Sequence, residues 1–222
     1  PIKQSDSIIA NARNYPNIRF FKVPPGLSLT PQFDCRASWQ MADSSNVQLF
    51  SAVAWQFATS ISEQLDVPIG IIQTAYGGTK VESWSDSSTV ARSTNLDSMY
   101  AAHPDRGILH KKSPFVVYNA MLHPIIGYRI KGVLWYQGEA NRDNPYVYTA
   151  RFSSMVHAWR QQWGQGDFPF YFVQIAPFRY RSDGATAYLR EQQMRASDVI
   201  NNSGMVVTLD VGSKTTIHPP DK

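Results

Sequence analysis

The chain has 222 residues, 43% of them hydrophobic and 17% charged, which is enough to bury one sizeable core and too little for two. That balance excludes intrinsic disorder, and the apolar runs are short and broken, far below the roughly 20 residues of a spanning helix. The formal net charge of +4 is dispersed, with no block of like charge longer than Lys111-Lys112, whereas a nucleic-acid footprint is a clustered basic face. The single Cys35 permits no internal disulfide, and nothing around it has the setting of a nucleophilic thiol, so it reads as a small structural residue.

Residues 5–15 predict a helix and residues 18–23 a strand. Phe50, Val53, Ala54, Phe57, Ile61 and Leu65 recur at helical spacing, an apolar stripe on a helix ending near Asp66. Residues 68–75, Pro-Ile-Gly-Ile-Ile-Gln-Thr-Ala, are nearly continuously apolar, the pattern of a strand covered on both faces. Residues 131–136 form the next strand. Phe152, Met155, Val156, Trp159 and Trp163 share one face of the helix that follows, with Asn144 before Pro145 as its N-cap. A strand over 170–175, a helix over 185–200 and a last strand over 205–209 complete the pattern. This alternation predicts an α/β domain with a parallel sheet and helices on both faces. Such a sheet binds its ligand beyond the carboxyl ends of its strands, here just after Ala75, Tyr136, Ile175 and Leu209.

After Ala75 comes Tyr76-Gly77-Gly78-Thr79, where paired glycines make either an ordinary tight turn or one that brings a backbone N–H close to a ligand. The stretch has neither the Gly-Lys-Ser/Thr ending of a phosphate loop nor a dinucleotide fingerprint. After Tyr136, Gln137-Gly138-Glu139-Ala140-Asn141 puts two amides and a carboxylate into five residues. Either this loop caps the next helix, or Glu139 orients a histidine and one amide donates to a developing oxyanion. After Leu209, a loop holds His218 against Pro219-Pro220, positioned but not helical. His103, His110, His123 and His157 lack such a setting. No His-x-x-His, His-Glu or Cys pair lies near His218, so metal ligation is not expected.

In chain order these stretches resemble the sialate O-acetylesterase and acetylxylan esterase group of the SGNH hydrolases. The matching segments begin at Phe50 (Phe-Ser-Ala-Val-Ala), Pro68 (Pro-Ile-Gly-Ile-Ile), Gly77 (Gly-Gly-Thr-Lys-Val-Glu-Ser-Trp), Gly132 (Gly-Val-Leu-Trp-Tyr-Gln-Gly-Glu), Pro169 (Pro-Phe-Tyr-Phe-Val-Gln), Leu189 (Leu-Arg-Glu-Gln) and Ile217 (Ile-His-Pro). The resemblance implies a three-layer α/β/α sandwich around a flavodoxin-like parallel sheet. It also implies hydrolysis of O-acetyl esters on sialic acid, xylan or a similar glycan, without metal or cofactor. His218 would be the general base for a serine and then the acid for the departing sugar hydroxyl. Gly78 N–H and the Gln137 amide would form the oxyanion hole, with Asn141 the second choice of side-chain donor.

The sequence departs from that group in two places. The group's nucleophile sits in a Gly-Gln-Ser-Asn stretch after the first strand, upstream of a segment like Pro1-Ile-Lys-Gln-Ser5, and these 222 residues contain no such stretch. Ser5 follows a Gln but lacks the preceding Gly and hydrophobic strand. The chain is therefore expected to be one SGNH domain truncated at both ends, inactive without the serine upstream of Pro1. Thr215 stands where many SGNH enzymes carry an Asp three residues before the histidine. The third triad member is then Glu139 or a backbone carbonyl, with Asp210 and Asp221 as remote candidates. The alternative function is a carbohydrate-binding domain that kept the fold without the chemistry. Another α/β hydrolase is disfavoured, since no Gly-x-Ser-x-Gly elbow occurs. A glycan substrate implies a periplasmic or secreted protein, with no nucleic acid or membrane span involved; the oligomeric state is not legible.

Overall fold

The computed structural model describes residues 2–93, 109–180 and 184–220. Strand β1 (Ile18–Val23) pairs in parallel with β3 (Ile69–Thr74), from Ile18 against Ile69 to Val23 against Thr74. The short β2 (Trp39–Met41) runs antiparallel along the other side of β1. In a second sheet, β4 (Val133–Trp135), β5 (Phe170–Val173) and β6 (Ser203–Val206) are parallel in that order. The helices α1 (Ser5–Asn11), α2 (Ala52–Leu65), α3 (Ser87–Ser93), α4 (Tyr148–Trp163) and α5 (Ala185–Val199) fall between strands or ahead of the first. This is the α/β class that the alternation predicts. The parallel strands, however, lie in two sheets of three, with β3 and β4 each the outer strand of its own sheet.

Two apolar clusters hold the helices to the strands. On the first sheet, Trp55 and Ala58 of α2 pack with Ile18 and Phe20, and Phe20 stacks on Phe50 with ring centroids 4.1 Å apart. On the second, Phe152 of α4 meets Phe172 edge-on at 5.1 Å and lies 5.9 Å from Trp135. All five residues expected on one face of α4 are buried. Each contributes on the order of 2 kcal/mol by leaving water.

The stripe expected on α2 is rotated. Val53, Phe57 and Leu65 are exposed, and Trp55 takes the core position because its indole fills the space beside Phe20 and Tyr15. No residue of β3 is fully buried, against the expectation of two covered faces, since the edge of β3 turned away from β1 pairs with no strand among the described residues. The last strand is shorter and earlier than predicted. It starts right after Asn202, whose φ is 46°, and Val207 and Leu209 are already exposed outside the sheet. Asn144 makes no side-chain cap; a 3-10 turn, Pro145–Val147, leads into α4 instead. Cys35 is half-buried and lines a cavity of about 520 Å³ with Phe21, Trp39 and Ile72. Burial, then the Asp34 carboxylate, raises its thiol pKa, the reverse of an activated thiolate.

Helix α3 carries no periodic signal in the sequence and is started by Asp86. Its Oδ1 accepts the Thr89 N–H at 2.9 Å, and the Ser88 and Thr89 hydroxyls each donate to the carboxylate at 2.6 Å. Burial works to raise the Asp86 pKa, but these hydrogen bonds outweigh it and hold the group below the ordinary carboxylate value. A carboxyl depressed in this way stabilises the fold above its unfolded pKa and ceases to as the pH falls through the folded value. Asp86→Ala should therefore cost about 1–2 kcal/mol at pH 7 in urea denaturation. The gap to wild type should narrow below about pH 4.

Candidate active site

Strand β3 delivers the Gly77-Gly78 turn. Gly78 has φ of +77°, a left-handed conformation that favours glycine, and a Cβ there would lie 2.9 Å from Lys111 Nζ and displace it. Lys111 Nζ donates to the Gly77 carbonyl at 2.7 Å. Thr79 closes the turn: its hydroxyl donates to the Tyr76 carbonyl at 2.9 Å and accepts the Trp84 indole N–H at 2.8 Å.

Strand β4 delivers the loop that locks onto this turn. Gln137 Nε2 donates to the Thr79 carbonyl at 2.9 Å and to Asn141 Oδ1 at 2.8 Å, while its Oε1 accepts the Tyr148 hydroxyl at 3.0 Å. Asn141 Oδ1 also accepts the Val81 N–H at 3.0 Å, and its Nδ2 donates to Glu82 Oε2 at 2.8 Å. Glu82 is ion-paired with Arg151 of α4. Gln137, Asn141 and Glu82 are all buried, where hydrogen bonds are electrostatically stronger and an unpaired group is costly. Gly138 lets the loop pass: a Cβ there would meet Ile175 Cγ2 at 2.5 Å and Gln193 Nε2 at 3.1 Å.

The predicted site residues have unequal standing in this frame. Gln137, the first choice of side-chain oxyanion donor, has both amide hydrogens engaged inside the protein, on the Thr79 carbonyl and on Asn141 Oδ1. Asn141 keeps one Nδ2 hydrogen beyond its bond to Glu82. Glu139 is half-buried, and its carboxylate accepts no hydrogen bond from a described residue. Next to it, the Arg142 guanidinium lies 3.3 Å from the centroid of the Tyr180 ring. His218 is exposed; its backbone N–H donates to Thr216 Oγ1 at 3.1 Å, and its ring bonds to no described group, Glu139 included. Its loop is tied to the one after β5 by Arg179 N–H on the Lys214 carbonyl at 3.0 Å, and to the start of the chain by Lys3 N–H on the Pro220 carbonyl at 2.8 Å. Gly78, Glu139, Asn141 and His218 thus all follow the carboxyl ends of parallel strands, on loops connected in series.

Elsewhere, His123 Nδ1 bonds to the Gln32 carbonyl and His110 Nδ1 accepts the Lys112 N–H. Asp210 is exposed, and Asp221 and His103 lie outside the described residues. Among the described residues, no cluster of three His, Cys, Asp or Glu side chains is arranged to hold a metal ion.

The family model of the carbohydrate esterase, sialic acid-specific acetylesterase, matches residues 35–219, a span that includes Gly78, Gln137, Glu139, Asn141 and His218. The chain belongs to that family. It is 27% identical to the sialate O-acetylesterases of Homo sapiens and Pongo abelii over 96% of its length. It spans about half the length of these relatives, 46% of each. In structure it is similar to a carbohydrate acetylesterase from Xanthomonas citri, with a TM-score of 0.86 and 32% identity over 99% of this chain and 48% of that one. A protein from Arabidopsis thaliana shares the fold at a TM-score of 0.53 and 18% identity, covering 90% of this chain and 74% of that one.

Three residues of this frame were not singled out in the sequence. Glu82 stands within the Gly77–Trp84 stretch without a recognisable role, Arg151 is 69 residues from the carboxylate it pairs with, and Lys111 is 34 residues from the carbonyl it holds.

Proposed function

We propose that the protein is a serine-type esterase that removes O-acetyl groups from sialic acid or another acetylated glycan. The observation that carries this reading is the frame of Gly78, Asn141 and Glu82 locked together at the strand ends, with the Glu139 carboxylate after β4 and the His218 imidazole after β6 bonded to no described group. The Gly78 N–H and the remaining Asn141 Nδ2 hydrogen receive the oxyanion, each donor contributing on the order of 3 kcal/mol. His218 takes the proton of a serine hydroxyl as that oxygen attacks the acetyl carbonyl. It returns the proton to the departing sugar oxygen, and water then releases acetate from the acetyl-serine by the same route. Glu139 accepts the other ring N–H of His218 and keeps the tautomer.

The nucleophile comes, in this reading, from a segment outside these 222 residues. Among the described residues, outer strands β3 and β4 each have one unpaired edge, while the loops that follow them are bonded to each other. One further parallel strand between them would join the two sheets, and its carboxyl end would emerge between Gly78 and Gln137. The Gly-Gln-Ser-Asn stretch of the group that the sequence resembles fits that position. Export to the periplasm or beyond suits a glycan substrate; no helix among the described residues is long and apolar enough to cross a membrane.

The full-length protein should hydrolyse p-nitrophenyl acetate and release acetate from acetylated sialic acid or xylan, while residues 1–222 alone should not. Turnover by the 222-residue chain would place the nucleophilic serine inside it. Glycan binding by the full-length protein with no acetate release would make it a carbohydrate-binding domain instead.

A further inference from the structure

We propose that Lys111 is a positioning residue for the oxyanion hole, an inference that rests on Gly78 being the oxyanion donor. It holds the Gly77-Gly78 peptide in the one orientation that aims the Gly78 N–H at the reacting carbonyl. A trans peptide is planar, so its C=O and N–H point in opposite directions. The bond from Lys111 Nζ to the Gly77 carbonyl, 2.7 Å long, therefore also sets the direction of the Gly78 N–H.

The Thr79 hydroxyl ties the ends of the turn through the Tyr76 carbonyl, but little else restrains the peptide within it. It is flanked by two glycines, which take either sign of φ at low cost. Nothing lies within 4 Å of where a Gly77 Cβ would stand, so packing does not hold the turn there. Neither the Gly77 carbonyl nor the Gly78 N–H bonds to any other described group. Lys111, by contrast, is anchored. Its carbonyl accepts the Ser83 hydroxyl at 2.9 Å, and its ammonium lies 5.7 Å from the Tyr76 ring centroid. No carboxylate among the described residues neutralises it. An ammonium on the carbonyl end polarises the peptide, which makes its N–H the better donor to an oxyanion.

The test compares Lys111→Met and Lys111→Arg with wild type in the full-length protein, using p-nitrophenyl acetate, an acetylated sialic acid and acetylated xylan. Lys111→Met should lower kcat by about 10- to 100-fold on all three, short of the loss of a whole donor, and leave KM within about twofold. Lys111→Arg, which can still present a charged donor to the Gly77 oxygen, should recover most of the rate. With ¹⁵N-glycine labelling, the Gly78 amide resonance should move in Lys111→Met and return in Lys111→Arg. A kcat within twofold of wild type in Lys111→Met would overturn the proposal. So would a loss confined to KM on the acidic sugar, which would make Lys111 a reader of the substrate carboxylate. A lowered melting temperature with no rescue by Lys111→Arg would reduce it to a structural residue. If wild type turns over no acetyl ester, the esterase reading falls and takes this inference with it; if wild type is active and Lys111→Met keeps pace, this inference falls alone.

Discussion

Replacing Glu139 by Gln in the full-length protein should lower kcat by roughly 10²–10⁴ and leave KM nearly unchanged. Glu139 stands four residues past the end of β4, half-buried, with no described donor on its carboxylate. Its charge is felt locally: burial first, then Glu139, raises the pKa of the Tyr136 phenol. We propose that this carboxylate, bonded to no described residue, serves a histidine that must carry positive charge in the transition state. Gln at that position can hold the ring but not stabilise the imidazolium, so the effect belongs in kcat. His218→Ala should cost at least as much, and the double variant little more than His218→Ala alone, because residues that act as one unit are not additive. Steady-state rates on p-nitrophenyl acetate read all three. If Glu139→Gln keeps kcat but melts earlier, Glu139 is a structural carboxylate and the enzyme is a Ser-His dyad.

The largest effect on stability is expected at Glu82. Glu82→Ala would leave Arg151 partly buried without its carboxylate and remove the acceptor that orients Asn141, a combination expected to cost about 3–5 kcal/mol in urea denaturation. The pair is a test of coupling as well as of strength. Arg151→Met alone should also be costly, since it strands a carboxylate that is 3% exposed. Glu82→Leu combined with Arg151→Met should cost clearly less than the sum of the single losses, because an apolar pair leaves no charge uncompensated. Glu82→Ala should further reduce kcat, because Asn141 would then be held only through its Oδ1. A loss below 1 kcal/mol in Glu82→Ala would mean that water already screens the pair, and that Gln137 and the Val81 N–H suffice to hold Asn141.

What the sequence determined by itself is what local periodicity and short-range chemistry decide. The buried face of α4, from Phe152 to Trp163, was legible because side chains spaced at helical period must share a face whatever they pack against. The strand β1, the Gly77-Gly78 turn and the position of the Gln137–Asn141 loop were legible from equally local signals, short apolar runs ended by glycine and polar residues, as was the α/β alternation. The tertiary structure decided what depends on partners far along the chain. On α2, several faces were apolar enough to dock, and the bulk of Trp55 against Phe20 chose among them. Strand order is a matter of which edges meet, so the division between β3 and β4 had no local sign. The choice between two amides at the site rested on the Thr79 carbonyl, 58 residues from Gln137, and on the Glu82 carboxylate, 59 residues from Asn141. A side chain's chemical type is written in its residue, but which of its hydrogens remains free is set by the groups that folding brings within 3 Å.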